Sequence, residues 1–120
     1  MKNLQKLINE ISLRKTDHLF QSDFLLTWEK SMADINQVID IAEALKSLRQ
    51  HNIATDVFKT GLAVSQFRDN STRTRFSFSS AANLLGLGIQ DLEEGKSQIA
   101  HGETVRETVN MISFLTDIIG

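Results

Sequence analysis

Residues 71–75 read S-T-R-T-R and place three hydroxyl side chains beside two guanidinium groups. They follow an apolar run and precede AANLLG, so the sequence predicts a turn between a strand and a helix. A turn of this kind offers free backbone N–H groups at the positive end of a helix, which suits a phosphate. Ser71, Thr72 and Thr74 can donate further hydrogen bonds. Arg73 can add a forked, permanently charged pair of donors.

A simpler interpretation of the same residues is structural. Ser71 or Thr72 would cap the helix, and Arg73 and Arg75 would be solvated surface side chains. The five residues alone do not decide between a phosphate site and a capped helix.

The elements around this turn follow from hydrophobic periodicity. Apolar residues at helical spacing predict amphipathic helices over 2–14 and 31–50, the second with Ser31 as N-cap and Asp34 three positions on. The segment 55–67 is rich in valine and phenylalanine and predicts a buried strand with a break at Gly61.

In the rest of the chain, predicted helices and strands alternate. We expect a helix over 73–85 with Gly86 as its C-cap, a short strand over 88–92, and a helix over 103–119. Helix, helix, strand, helix, strand, helix is the order of a parallel α/β sheet with a helical N-terminal extension over residues 1–30. Two strands are too few for a complete parallel sheet, so the chain is expected to be the front part of a longer one.

Composition excludes several function classes. The 120 residues are 41% hydrophobic, enough for one modest core, and contain no cysteine for disulfides or thiolate metal ligands. A formal net charge of −2 and only 7% aromatic residues argue against nucleic-acid binding. No apolar run approaches the roughly 20 residues of a membrane span, and the charged N-terminus is unlike a signal sequence. We expect a cytoplasmic protein with neither nucleic acid nor membrane as a partner.

Two separated motifs resemble the aspartate/ornithine carbamoyltransferase family. The first is the pattern in which a strand ends in Phe and S-T-R-T-R follows, here Phe67 and residues 71–75, with the likeness continuing through AANLLG. The second is KSQIAHGETVRET, which is similar to the family's second phosphate-region loop and the helix after it. The segments DFLLTWEK and KSQIAHGETVRETVNMISF are most similar to the knotted branch of the family, whose acceptor is uncharacterised.

The resemblance implies transfer of the carbamoyl group from carbamoyl phosphate to an amino group, with release of phosphate and without a metal or a redox cofactor. Carried onto this sequence, Ser71, Thr72, Arg73 and Thr74 bind the phosphate. Arg73 and Thr74 are then the catalytic residues: Arg73 stabilises charge on the leaving group, and Thr74 also reaches the carbonyl oxygen.

Arg75 is expected to be structural and to pair with an acid such as Glu103.

The second motif implies an active site shared between subunits of a homotrimer. Alignment at G-E-T places Ser97, Gln98 and His101 at the positions that reach the neighbouring subunit's site. The aspartate enzymes have a lysine where His101 stands, so histidine here is closer to the ornithine side of the family.

The family also has a second domain that selects the amine, and residues 1–120 do not include it. We therefore expect an incomplete carbamoyl-phosphate-binding domain that is inactive alone, and the identity of the acceptor stays open. The alternative from another class is a non-catalytic anion-binding or interaction module that retains the phosphate turn.

Overall fold

The computed structural model describes residues 3–67, 71–93, 101–102 and 104–120. The chain divides into two compact units, residues 1–54 and 55–120, which are described separately. Within the described residues, no helix combines the length and apolar character that crossing a membrane requires.

In its described residues, the first unit contains two α-helices, α1 (Leu4–Leu13) and α2 (Met32–Gln50), close to the predicted spans. Two short 3-10 helices, Asp17–Leu19 and Thr27–Glu29, lie between them. The predicted cap of α2 is confirmed: the Asp34 N–H donates to Ser31 Oγ over 3.2 Å, and the Asp34 carboxylate accepts from the Ser31 N–H. This reciprocal pair satisfies two backbone donors that the helix itself leaves free.

Polar side chains join α1 to α2. Arg14 donates from Nη2 to Asp40 Oδ2 over 2.7 Å and from Nη1 to Gln37 Oε1 over 3.0 Å. Gln37 in turn donates to the carbonyl of Ile11 over 3.2 Å. Asp40 and Gln37 are buried, whereas the apolar side chains of Val38 and Ile41 are exposed, so a polar face of α2 meets α1.

The described residues of the second unit form a three-stranded parallel sheet with helices, which confirms the predicted α/β class. Its strands are β1 (Leu62–Ser65), β2 (Gly88–Asp91) and β3 (Ile118–Ile119), and they lie side by side in the order β2-β1-β3. Its helices are α3 (Thr72–Leu85) and α4 (Val105–Ile112). A small core of Ala63, Ala82 and Leu87 lies between α3 and the sheet, with Phe78 packed against it.

The predicted strand over 55–67 was too long. Residues 55–60 lie against the end of α3, where Thr55 Oγ1 donates to the Leu84 carbonyl and the Phe58 N–H donates to the Leu85 carbonyl. These bonds satisfy backbone groups at the helix end and keep the segment out of the sheet. The strand begins directly after Gly61, the predicted break, which has a φ of +123°.

The predicted helix over 103–119 was also too long, and the prediction of two strands was wrong. α4 ends at Ile112, and β3 pairs in parallel with β1, Ile118 beside Ala63 and Ile119 beside Val64. Asp117 fixes the register of β3 against β1. Its N–H donates to the Leu62 carbonyl, and its Oδ2 accepts from the Leu62 N–H over 2.8 Å.

Gly86 caps α3 as predicted. It has a left-handed φ of +92°, and a Cβ at this position would lie 1.9 Å from the Phe58 carbonyl oxygen. Both the conformation and the space exclude a side chain there. This turn leads directly into β2 and so sets the direction in which β2 joins β1.

Candidate functional site

The S-T-R-T-R turn lies beyond the carboxyl end of β1 and opens α3. Ser71 is the N-cap residue and Thr72 the first helical residue. In open α/β sheets, ligands bind outside the carboxyl ends of the strands, and the first N–H groups of a helix have no intrahelical acceptor. The fold therefore places this turn where an anion can be bound.

The side chain of Ser71 does not cap α3. It accepts no backbone N–H of the helix, and its Oγ lies 2.8 Å from Thr74 Oγ1, one turn along. Ser71 therefore occupies the cap position that the structural interpretation assigned to it without making the capping bond. Among the described residues, no side chain caps the backbone donors at the start of α3, and the hydroxyl groups of Ser71 and Thr74 lie together beside them.

The two arginines of the turn lie on different faces of α3. Two residues correspond to about 200° around a helix, so the side chains of Arg73 and Arg75 leave it on nearly opposite sides. Arg73 is exposed and has no hydrogen-bond or ion-pair partner among the described residues. It is therefore free, within that part of the chain, to meet an anion from solvent.

Arg75 is bound to the end of the sheet. Its Nη1 donates to Asp91 Oδ2 in a short ion pair, and its Nη2 donates to the Phe67 carbonyl over 3.3 Å. Ser65, fully buried in β1, donates from Oγ to Asp91 Oδ1 over 2.6 Å. The partner of Arg75 is thus Asp91; the predicted partner, Glu103, lies outside the described residues.

Comparison with known proteins identifies the family. A family model described as "Aspartate/ornithine carbamoyltransferase, carbamoyl-P binding domain" matches residues 22–120. The chain belongs to this family.

Individual carbamoyltransferases are similar along the chain. The proposed carbamoyltransferase YgeW of Escherichia coli (strain K12) is 63% identical over 120 residues, 100% of this chain and 30% of its own length. The aspartate carbamoyltransferase catalytic subunit of Campylobacter curvus is 36% identical over 99 residues, 81% of this chain and 32% of its own. The chain therefore spans about a third of these carbamoyltransferases.

A solved carbamoyltransferase structure has the same fold. The catalytic subunit of M. jannaschii aspartate transcarbamoylase superposes with a TM-score of 0.71 at 27% identity, covering 80% of this chain and 32% of that one. The carbamoyl-phosphate-binding architecture predicted from the two motifs is thereby confirmed at the level of the fold.

The second carbamoyltransferase motif is described only in part. His101 is exposed, whereas Ser97 and Gln98 lie outside the described residues. The contribution of these residues to a neighbouring subunit's site therefore stays a prediction. Among the described residues, no three His, Asp or Glu side chains are arranged to hold a metal ion.

Sequence reasoning missed Ser65 and Asp91. Part of the signal was available, because both are polar residues near the carboxyl ends of predicted neighbouring strands, but only the observed register of the parallel pair places Ser65 directly beside Asp91. α3 follows β1 and begins at the same edge, so an arginine in its first turns can pair with a carboxylate at the end of β2.

Proposed function

We propose that the full-length protein is a carbamoyltransferase that uses carbamoyl phosphate and the amino group of a small-molecule acceptor. The amine nitrogen attacks the carbonyl carbon, the bond from that carbon to the phosphate oxygen breaks, and the amine loses a proton. Phosphate leaves with the bonding electrons. The observation that carries this proposal is the uncapped start of α3, with Arg73 unpartnered among the described residues.

In this proposal the turn binds the phosphate group. Ser71, Thr72 and Thr74 supply hydroxyl donors, the helix start supplies backbone N–H groups, and Arg73 supplies positive charge where negative charge grows on the leaving group. Thr74 also donates to the carbonyl oxygen. Donors fixed in advance around developing charge typically contribute about 2.7–4 kcal/mol each.

Phosphate release by the full-length protein tests the reaction. Purified protein is incubated with carbamoyl phosphate and a panel of amines, and enzyme-dependent release of phosphate is measured against the rate without amine. We expect one amine to accelerate release, with its carbamoylated product detected by mass spectrometry. Binding of carbamoyl phosphate without acceleration by any amine would favour the anion-binding module, and absence of binding would contradict both.

The finer proposal is a homotrimer whose sites are shared between subunits. In it, Ser97, Gln98 and His101 reach the site formed by the S-T-R-T-R turn of the next subunit, and a second domain outside residues 1–120 selects the amine. The exposure of His101 in the described residues supports an outward-facing role.

Mixing two inactive variants tests the shared site. Arg73→Ala and the triple variant Ser97→Ala, Gln98→Ala, His101→Ala are allowed to exchange subunits. In a cyclic trimer every mixed ring has one junction at which both partners are native. Equal random mixing gives about three quarters mixed rings, so activity should return to about a quarter of wild type. No recovery after verified exchange would contradict a shared site.

A further inference from the structure

One polar network joins three elements of the second unit at the edge where the turn lies. Asp91 is the last residue of β2. One of its carboxylate oxygens accepts a hydrogen bond from Ser65 of β1, and the other accepts one from Arg75 of α3. Arg75 also donates to the Phe67 carbonyl, just beyond β1. A single carboxylate therefore connects the ends of two strands to the start of the helix.

The network reaches the turn through the backbone. The Arg75 N–H donates to the Ser71 carbonyl over 3.1 Å, and Arg75 directly follows Thr74. Fixing the Arg75 side chain against Asp91 therefore sets how far α3 is rotated about its axis. This rotation determines where Arg73, about 200° away, is directed.

The pairing is sensitive to the loss of one partner. Arg75 and Asp91 are both partly shielded, and Arg75 Nε is buried with no hydrogen-bond partner among the described residues. Loss of Asp91 would deprive the Arg75 guanidinium of a further acceptor, in addition to the one that Nε lacks among the described residues. Removing one member of such a pair leaves the other charge uncompensated, whereas removing both members avoids that cost.

We propose that Asp91 is a positioning residue for the phosphate site: through Arg75 it orients the Ser71–Thr74 turn, and it holds Arg75 away from the anion. This inference rests on the proposed function, because it takes the turn to be the site that binds phosphate. It assigns Asp91 no contact with the substrate. In this proposal the anion contacts Arg73, and Asp91 determines how the turn that carries Arg73 is oriented.

The experiment measures binding of inorganic phosphate to the full-length protein by calorimetry, well below each variant's melting temperature. Asp91→Asn and Arg75→Gln should each weaken binding by about tenfold to a hundredfold, the range found when residues that orient metal ligands are replaced. The double variant should bind no more weakly than the weaker single variant. Asp91→Glu, which keeps the carboxylate, should restore part of the affinity.

Asp56→Asn is the matched control. Asp56 forms an exposed ion pair with Lys59, over 2.6 Å, in the same unit but away from the turn. Its loss should leave phosphate affinity unchanged. If Asp91→Asn does not fold, Ser65→Ala removes one hydrogen bond to Asp91 and should still reduce the affinity measurably.

The outcomes separate the two proposals. Wild-type phosphate affinity in folded Asp91→Asn, or in Ser65→Ala where Asp91→Asn does not fold, would overturn the positioning role and leave the proposed function standing. Fully additive losses in the double variant would also overturn it. A wild-type protein that binds no phosphate would overturn both proposals.

Discussion

The starts of α3 and α4 have similar sequences and different structures. Each has a hydroxyl residue at the N-cap, Ser71 for α3 and Thr104 for α4. Thr104 Oγ1 accepts the Glu107 N–H over 3.2 Å, and Glu107 Oε2 accepts the Thr104 N–H over 2.8 Å. Ser71 instead pairs with a hydroxyl, because the residue three positions on is Thr74 and not an acid.

The difference shows that a hydroxyl residue before a helix does not by itself identify a cap. A carboxylate three residues later returns a bond to the cap and completes it. In α3 a threonine takes that place, and no side chain in the described part of the chain caps the backbone donors. Because position 74 carries no carboxylate, it does not repel an incoming anion. The same comparison extends to the arginines, since Arg73 and Arg106 both occupy the second position of their helices.

The largest effect expected from this comparison concerns these two arginines. Arg73→Ala in the full-length protein should lower turnover by about a hundredfold to a thousandfold, because it removes a preorganised charge from the leaving group. Arg106→Ala should leave turnover unchanged, although Arg106 is also exposed and occupies the same helical position. Steady-state phosphate release measures both. Equal effects in the two variants would show that only the general positive charge matters.

A smaller effect separates the two N-cap residues. Thr104→Ala should reduce the free energy of unfolding by about 1 kcal/mol, the usual cost of a lost cap, and leave phosphate affinity unchanged. Ser71→Ala should change stability by less than about 0.5 kcal/mol and weaken phosphate binding. Urea titration and calorimetry on the same samples measure the two quantities. A stability loss in Ser71→Ala equal to that in Thr104→Ala would mean that Ser71 is an ordinary cap.

The smallest effect is a pH dependence of α4. Hydrogen bonds from the backbone N–H and then the hydroxyl of Thr104 lower the pKa of Glu107 below its ordinary value of 4.5. A lowered pKa means that the ionised form stabilises the fold at neutral pH and that this contribution is lost as pH falls below about 4.5.

Glu107→Gln tests this pH dependence. The variant should be less stable than wild type at neutral pH, and the difference should shrink as pH falls from about 5 to about 3. Because Thr74 carries no titratable group, Thr74→Val is the matched control in α3 and should show a constant difference over that range. A Glu107→Gln difference that does not depend on pH would contradict the capping role of Glu107.

Much of the local structure was predictable from short-range signals. The cap of α2 by Ser31 and Asp34, the break at Gly61 and the C-cap at Gly86 each depend on residues within a few positions of one another. The turn at 71–75 was predictable for the same reason, since its hydroxyls and arginines are consecutive.

Errors occurred where distant residues decide the outcome. Thr55 and Phe58 have strand-forming neighbours, but they form hydrogen bonds to the end of α3. Ile118 and Ile119 are compatible with a helix or a strand, and pairing with β1 makes them a strand. Short apolar runs do not distinguish the two by periodicity. Arg75 pairs with an acid, as predicted, but Asp91 was not foreseen as that acid, because it is 16 residues away and only the sheet brings it close. Pairing of Arg75 with Glu103, which lies outside the described residues, stays a prediction.

The sequence by itself determined which chemical groups the turn carries, because residue type and position before a helix suffice to specify three hydroxyl side chains and two arginines at a helix start. The structure decided that Ser71 makes no capping bond and that Arg73, not Arg75, has no partner among the described residues. Only the tertiary structure decided how the turn is oriented. That depends on Ser65, Asp91 and Arg75, which meet because parallel pairing of β1 with β2 places their carboxyl ends at one edge. Hydrogen bonds act over about 3 Å, so a network across three elements forms only after the chain has folded.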